Sequence, residues 1–218
     1  MPSRRTARAI AATEENRNRP LMVATGALAA IALIWALLAT AAQAETPQGG
    51  TYVIDDTHVH ASFKVSHVGF SSTIGNFDTV SGDIVINTDD LTASTVNVTI
   101  DTASIDTAHK ERDEHLRNAD FFNVAEYPEM TFTSTAIEVT GDNTAKVTGD
   151  LTMLGQTHPV TLDVTLNKAA EHPFSKKYVA GFSATGTLDR TQWGMDYGVP
   201  AVGSEIELLI EAEAMRQE

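Results

Sequence analysis

The chain has 218 residues, no cysteine, and 15 Lys and Arg residues against 29 Asp and Glu residues, for a net charge of −14 at pH 7. This acidity argues against nucleic-acid binding, because contact with a phosphate backbone needs Lys and Arg to displace counterions. The absence of cysteine excludes disulfides, thiolate metal sites and a lipid-modified N-terminal cysteine. A core of apolar side chains therefore has to stabilise the fold.

The N-terminus has the order of an export signal: five arginines, an apolar run over about residues 21–42, and then Ala42-Gln43-Ala44. We predict cleavage after Ala44 and an exported protein, periplasmic or extracellular. The alternative is an uncleaved anchor, because the run approaches the roughly 20 residues of a spanning helix. The predicted organisation is an export signal at 1–44, a short leader at 45–50 and one β-barrel domain at 51–218. The mature chain carries a net charge near −17.

Alternation begins at Tyr52, and a half-buried strand is predicted where Val59, Ala61, Phe63 and Val65 alternate with polar residues. The same period recurs at residues 84–87, 96–100, 130–132, 160–166 and 206–210. Turn residues separate these runs, as in Gly141-Asp142-Asn143. Roughly eight strands with little helix favour a single all-β domain, either a closed antiparallel barrel or a sandwich.

The segment from Ser104 to Pro128 is too long for a hairpin connection, which needs about 2 to 5 residues. It combines a charged stretch, with a helix expected near residues 110–118, and an aromatic end at Phe121-Phe122. We interpret it as a lid on a barrel; a second short helix is expected around Gln192.

A barrel of about eight strands can be filled by side chains or can hold one small ligand. Small residues dominate the inward positions, so we favour an underfilled centre. An aromatic and methionine set suits an apolar ligand, although the same residues would also make an ordinary core. That set is Phe63, Phe70, Phe77, Phe121, Phe122, Tyr127, Met130 and Phe132. A filled, purely structural barrel therefore remains open as an alternative.

His58 and His60 lie two residues apart on one face of a strand and could contribute to a zinc site. The alternative function is therefore a zinc-dependent hydrolase or isomerase acting on a lipid. We favour neither metal nor catalysis, because a third ligand would have to come from elsewhere. A salt-bridged helix face explains His115 and Asp113 without a reaction. The sequence contains no Gly-x-Ser-x-Gly elbow and no phosphate loop, so we expect no enzyme and no cofactor.

Several motifs, spread over about residues 51–213, resemble the YceI-like family. They are Asp56-Thr57-His58-x-His60-x-x-Phe63-x-Val65-x-His67, Gly75-x-Phe77, Ser104-Ile105-Asp106-Thr107, Arg112-Asp113-x-His115-Leu116, Asp120-Phe121-Phe122, Tyr127-Pro128, Phe132, Gly149-x-Leu151-Thr152, Gly155 and Arg190-x-x-x-Gly194-Met195. The resemblance implies a lipocalin-like antiparallel barrel with a helical insertion, exported to the periplasm. It also implies noncatalytic binding, transport or storage of a long polyisoprenoid or similar amphiphilic lipid in a central tunnel.

Carried onto this sequence, the resemblance implies two groups of ligand-binding residues. The apolar wall is expected to comprise Phe63, Phe70, Phe77, Leu116, Phe121, Phe122, Phe132, Met153 and Met195. The polar mouth is expected to comprise His60, His67, Asp113 and Arg190. His60 departs from the family, in which many members carry serine. The expected partner is an isoprenoid or other long-chain lipid, and transient membrane contact and a homodimer are left open.

Overall fold

The computed structural model describes residues 46–218, which form a sheet of ten antiparallel strands with one short α-helix. The strands are β1 (Gly50–His67), β2 (Ser71–Phe77), β3 (Val80–Ile86), β4 (Thr95–Asp101), β5 (Ile105–Asp106), β6 (Glu129–Val139), β7 (Thr144–Met153), β8 (Gln156–Glu171), β9 (Tyr178–Asp189) and β10 (Val202–Arg216). The α-helix is α1 (Lys110–Leu116). The 3-10 helices are η1 (Leu91–Ala93), η2 (Thr102–Ser104) and η3 (Arg190–Trp193).

Eight of the strands close into a barrel in the order β1, β10, β9, β8, β7, β6, β4, β3 and back to β1. Closure is possible because β1 is long enough to pair with β10 along one side and with two strands along the other. Its first residues pair with β3, and Ala61–His67 pair with β2. The predicted all-β fold, a single antiparallel barrel of about eight strands, is confirmed.

The antiparallel order places alternate connections at opposite ends of the barrel. At one end, here called the lid end, lie the two long connections, 102–128 and 190–201, with the β1–β2 and β7–β8 turns. At the other, here called the turn end, lie the leader 46–49 and the connections 87–94, 140–143 and 172–177. The expected long insertion is therefore confined to one end.

The core has a densely packed region near the turn end, on the β1, β8, β9 and β10 side. The Tyr52 ring is fully buried with three alanines on neighbouring strands, Ala169, Ala180 and Ala214. Their small side chains leave room for the ring, which also contacts Tyr178 edge-on with ring centroids 6.4 Å apart. The Tyr52 hydroxyl donates to the carbonyl of Gln48, which fixes the leader across this part of the barrel.

The two helices expected from the sequence are present: α1 begins at Lys110, and η3 includes Gln192. Strands β2, β7 and β9 lay outside the alternating runs identified in the sequence. Within residues 46–218, no helix is long and apolar enough to cross a membrane. The predicted export signal at 1–44 lies outside the described residues.

Candidate ligand-binding cavity

A cavity of about 450 Å³ runs inside the barrel, and its walls are almost entirely apolar. The alternation of the strands creates it, because every second side chain of β4, β8 and β10 points inward. These inward residues are Val96, Val98 and Ile100 on β4, Val160, Leu162, Val164 and Leu166 on β8, and Ile206, Leu208, Ile210 and Ala212 on β10. The lined part of β8 alone extends for roughly 20 Å.

Aromatic rings line the lid end of the cavity. Phe63 packs against Phe77 with centroids 5.8 Å apart, and Phe77 meets Phe122 edge-on at 5.4 Å. Phe63 also lies over Gly75 on the paired strand, where a Cβ atom would come within 2.3 Å of the ring. Glycine at this position therefore provides the space that the ring occupies.

Hydrogen bonds to one carboxylate fix α1 to the chain that precedes it within the lid. The backbone N–H of Thr107 donates to Asp113 Oδ1 at 2.8 Å, and the Thr107 hydroxyl donates to the same oxygen. Burial alone would raise the pKa of Asp113, but these hydrogen bonds, with the nearby charges of Arg117 and Arg112, lower it. Arg117 donates from Nε and Nη2 to the carbonyls of Ala103 and Ile105, which ties α1 to the preceding chain.

Arg190 holds the second long connection of the lid end. Its guanidinium is buried, at 3% exposure, and lines the cavity. It donates to four backbone carbonyl oxygens, those of Met195, Tyr197, Val202 and Gly203, over distances of 2.8 to 3.2 Å. Burial lowers the pKa of Arg190, although the nearby carboxylates of Asp189 and Asp196 act in the opposite direction. The lid end is thus closed by satisfied polar groups and not by apolar packing alone.

The cavity opens at the turn end. Its lining residues at the lid end, such as Met195 and Phe122, are buried or half-buried. Within the described chain, exposed lining residues occur only in the leader and connections of the turn end and at the last residue of β6. We call this set the rim: Thr46, Leu91, Val139, Gly141, Asp142 and Asn143. The backbone N–H of Leu166 donates to the Asn143 carbonyl at 2.8 Å, and this bond positions the β6–β7 part of the rim against β8.

The structure places eight of the nine predicted wall residues on the cavity. These are Phe63, Phe77, Leu116, Phe121, Phe122, Phe132, Met153 and Met195. Phe70 is the exception, because it lies at the tip of the β1–β2 hairpin and is 91% exposed. The tip follows Gly69 at positive φ, which turns the chain away from the barrel. Whether the eight residues contact a ligand stays a prediction.

The predicted polar mouth needs correction, because its four residues do not surround the opening. His60 is exposed on the outer face of β1, His67 is exposed at the lid end of β1 without lining the cavity, and Asp113 is buried inside the lid, also without lining the cavity. Arg190 does line the cavity, but at the lid end. The family resemblance supplied these four residues, and the sequence around them does not show how the connections bury or expose each side chain.

The zinc alternative requires His58 and His60 in one ligand set, and the geometry separates them. His58 Nδ1 lies 3.0 Å from Asp55 Oδ2, and the potential ligand group around it comprises Asp55, His58 and Glu213. A register shift between Ile54 and Val59 brings this part of β1 opposite Glu213 of β10. Burial would raise the pKa of Asp55, but hydrogen bonds from Thr57 and His58 lower it to about 2. The bond to Asp55 raises the pKa of His58.

Sequence reasoning missed the aliphatic majority of the wall and the whole rim. The signal for the wall was present, because the inward parity of β4, β8 and β10 contains residues such as Val98, Leu162 and Leu208. The predicted wall consisted mainly of aromatic residues and methionines and left out these aliphatic side chains. No local pattern identifies the rim, since Leu91 and Asp142 come together only when the barrel closes.

Comparison with known proteins places these features in a family. The YceI-like domain matches residues 52–214. Protein YceI of Escherichia coli O17:K52:H18 (strain UMN026) is 40% identical over 168 residues, which cover 76% of this chain and 87% of that protein. The crystal structure of the Campylobacter jejuni YCEI protein superposes with a TM-score of 0.64 at 32% identity, covering 70% of this chain and 90% of the other.

A more distant structure, a polyisoprenoid binding domain from Saccharophagus degradans, shares the fold. It has a TM-score of 0.60 at 14% identity and covers 78% of this chain and all of that domain. The match over residues 52–214, together with the relative at 40% identity, includes every strand of the barrel almost completely. The chain therefore belongs to the YceI-like family.

Proposed function

We propose that the barrel binds a long-chain isoprenoid or similar amphiphilic lipid in its central cavity, without catalysis. The observation that carries the proposal is the cavity itself, about 450 Å³ of apolar space closed at one end. Small-molecule pockets typically enclose about 300–1,000 Å³ and combine apolar walls with a few polar groups. A solvent-filled cavity with such walls would be unfavourable, and an apolar chain would remove that cost.

The name of one structural neighbour supports the isoprenoid class. The Saccharophagus degradans protein of the same fold is described as a polyisoprenoid binding domain. An elongated, narrow cavity suits a chain of repeated isoprene units better than a compact ligand. The proposal extends to a carrier or storage role outside the cytoplasmic membrane, which is motivated by the basic and apolar N-terminal sequence.

The shape of the cavity favours one orientation of the ligand. An apolar tail fits the lid end, where Phe77, Phe122 and Met195 converge. A polar head fits the rim, where Asp142 and Asn143 supply oxygen and nitrogen atoms beside water. The head group would then remain solvated while the tail is buried.

Tail length is weakly specified under this proposal. Each buried methylene contributes about 0.8 kcal/mol, so a tail of several tens of carbons would nominally exceed the roughly 18 to 21 kcal/mol at which affinity saturates. Ordering of the chain and partial solvent contact offset the excess. We expect the barrel to accept related lipids of different length.

The first experiment is organic extraction and mass spectrometry of residues 45–218, purified from the native host without added lipid. We expect an isoprenoid or long-acyl compound near one per barrel, with a spread of chain lengths. An empty extract, with no uptake of farnesol or a fluorescent fatty acid, would instead support the filled structural barrel. One homogeneous species would contradict the expected tolerance of tail length.

A substitution inside the barrel provides a sharper test. Ala184 lines the cavity at mid-barrel on β9, so Ala184→Phe fills part of the space that the ligand would occupy. We expect at least a tenfold loss of farnesol affinity, measured by competition with a fluorescent fatty acid. The matched control is Thr185→Phe, which adds the same ring to the neighbouring, exposed position. Equal farnesol affinities in the two variants would contradict the proposal that the cavity is the binding site.

A further inference from the structure

We propose that the tip of the β8–β9 hairpin docks the barrel onto a bilayer that contains anionic lipid. The tip consists of residues 172–177, His-Pro-Phe-Ser-Lys-Lys, at the turn end. The inference rests on the proposed function to the extent that a lipid ligand has to come from a lipid phase. The docking itself can be measured without any ligand.

On its β7 side the hairpin extends beyond its neighbour, whereas on its other side β9 stays paired with β10 as far as Val179. The last pairing of β8 with β7 is at Thr165, yet β8 continues paired with β9 as far as Glu171. This overhang corresponds to roughly 20 Å of strand. Phe174 is 88% exposed at its tip, and its ring lies beside the His172 ring with the two ring centroids 5.7 Å apart. A membrane surface would meet this aromatic side chain before it met the rim.

The charge at the tip matches an anionic surface and differs from the rest of the molecule. Lys176 and Lys177 are the only adjacent basic residues in the part of the chain that the structure describes. Glu171 lies 3.4 Å from Lys176, but both side chains are largely exposed, so this pair holds the lysine only weakly. An aromatic ring beside lysines is the composition of interfacial anchors, in which the ring enters the head-group layer and the ammonium groups contact phosphates.

The position of the tip connects docking with the cavity. The rim and the hairpin tip are both at the turn end, so contact through Phe174 turns the opening towards the bilayer. The other most exposed aromatic residue, Phe70, lies at the lid end. Docking through Phe70 would turn the opening away. Two phenylalanines of nearly equal exposure at opposite ends therefore allow a matched comparison.

The test measures the partition of residues 45–218 into vesicles of equal parts phosphatidylglycerol and phosphatidylcholine. The structure shows that this part forms the closed barrel with its own core. We expect Phe174→Ser to weaken partition about tenfold, and Lys176→Gln with Lys177→Gln to weaken it about fivefold for each lysine. Phe70→Ser is expected to leave partition within twofold of the wild type, and circular dichroism checks that each variant is folded.

Three results would overturn the proposal: no partition of the wild type, equal partition of Phe174→Ser and Phe70→Ser, or a Phe174-dependent dimer that fails to bind vesicles. Light scattering identifies the last of these. Cavity binding is measured separately with a soluble fluorescent fatty acid and no vesicles, where Phe174→Ser should match the wild type. Uptake of the fatty acid without Phe174-dependent partition rejects docking alone, and Phe174-dependent partition without uptake rejects the proposed function alone.

Discussion

The lid end is built from two long connections that buried hydrogen bonds hold in place, whereas the turn end consists of short connections with exposed side chains. At the lid end, Arg190 donates to four backbone carbonyl oxygens, and Asp113 accepts from the backbone N–H and the hydroxyl of Thr107. At the turn end, the rim residues are all exposed and all line the cavity. The difference suggests that one end contributes stability and the other controls access, so substitutions at the two ends should change different measurements.

The largest effect is expected for Arg190→Met. The substitution removes the donors for four carbonyl oxygens in the 190–203 region and leaves several of them buried without partners. Each such loss costs about 1–3 kcal/mol, so we expect at least about 3 kcal/mol of lost unfolding free energy, measured by urea denaturation. Arg190→Lys keeps the charge but not the planar fork, and it should recover only part of the loss. A loss below about 1 kcal/mol would mean that the lid end does not depend on this guanidinium.

A smaller and pH-dependent effect is expected for Asp113→Asn. Because folding lowers the pKa of Asp113, its carboxylate stabilises the folded protein above the unfolded pKa, which is about 3.9. That stabilisation is lost as the pH falls through the folded pKa. At pH 7 we expect the variant to be about 1–2 kcal/mol less stable than the wild type. The difference should shrink below about pH 4, and a difference independent of pH would assign the effect to packing.

The smallest effect on stability, but a clear effect on exchange, is expected at the rim. Asp142→Trp places a large side chain beside the opening, at an exposed position where substitutions usually change stability by less than about 0.5 kcal/mol. Under the proposed function, ligand association and dissociation should both slow, with little change in affinity. Gln192→Trp, an exposed position at the lid end, serves as the control in stopped-flow kinetics. Equal slowing by both variants would place the entrance elsewhere.

The sequence predicted the fold well because the features that define it are local. Alternation along single strands identified six runs of the barrel, and the charged stretch after Ser104 identified α1 within the lid. Strands such as β9 were missed because glycine and small residues, as in Ala180-Gly181, weaken the alternation there. Phe63 and Phe132 were placed correctly because an inward aromatic residue on a strand has few other environments available.

The sequence did not locate the opening, because its position depends on how the connections pack. His67 and Arg190 are polar residues near the lid, and their sequence context does not show that one is outside and the other is buried beneath a loop. The four carbonyl oxygens that accept hydrogen bonds from the buried Arg190 are brought around it only by the tertiary fold. Asp142 at the rim looks like an ordinary turn residue for the same reason.

The short β6–β7 turn lines the opening of the cavity but does not take part in closing the barrel. Residues 140–143 belong to the rim region, yet the strands on either side close the barrel through their own backbone hydrogen bonds. Exposed turns of this kind tolerate replacement and insertion more readily than strands do. Under the proposed function, replacement of this four-residue turn could therefore change the rate of ligand entry while the strands that close the barrel stay the same.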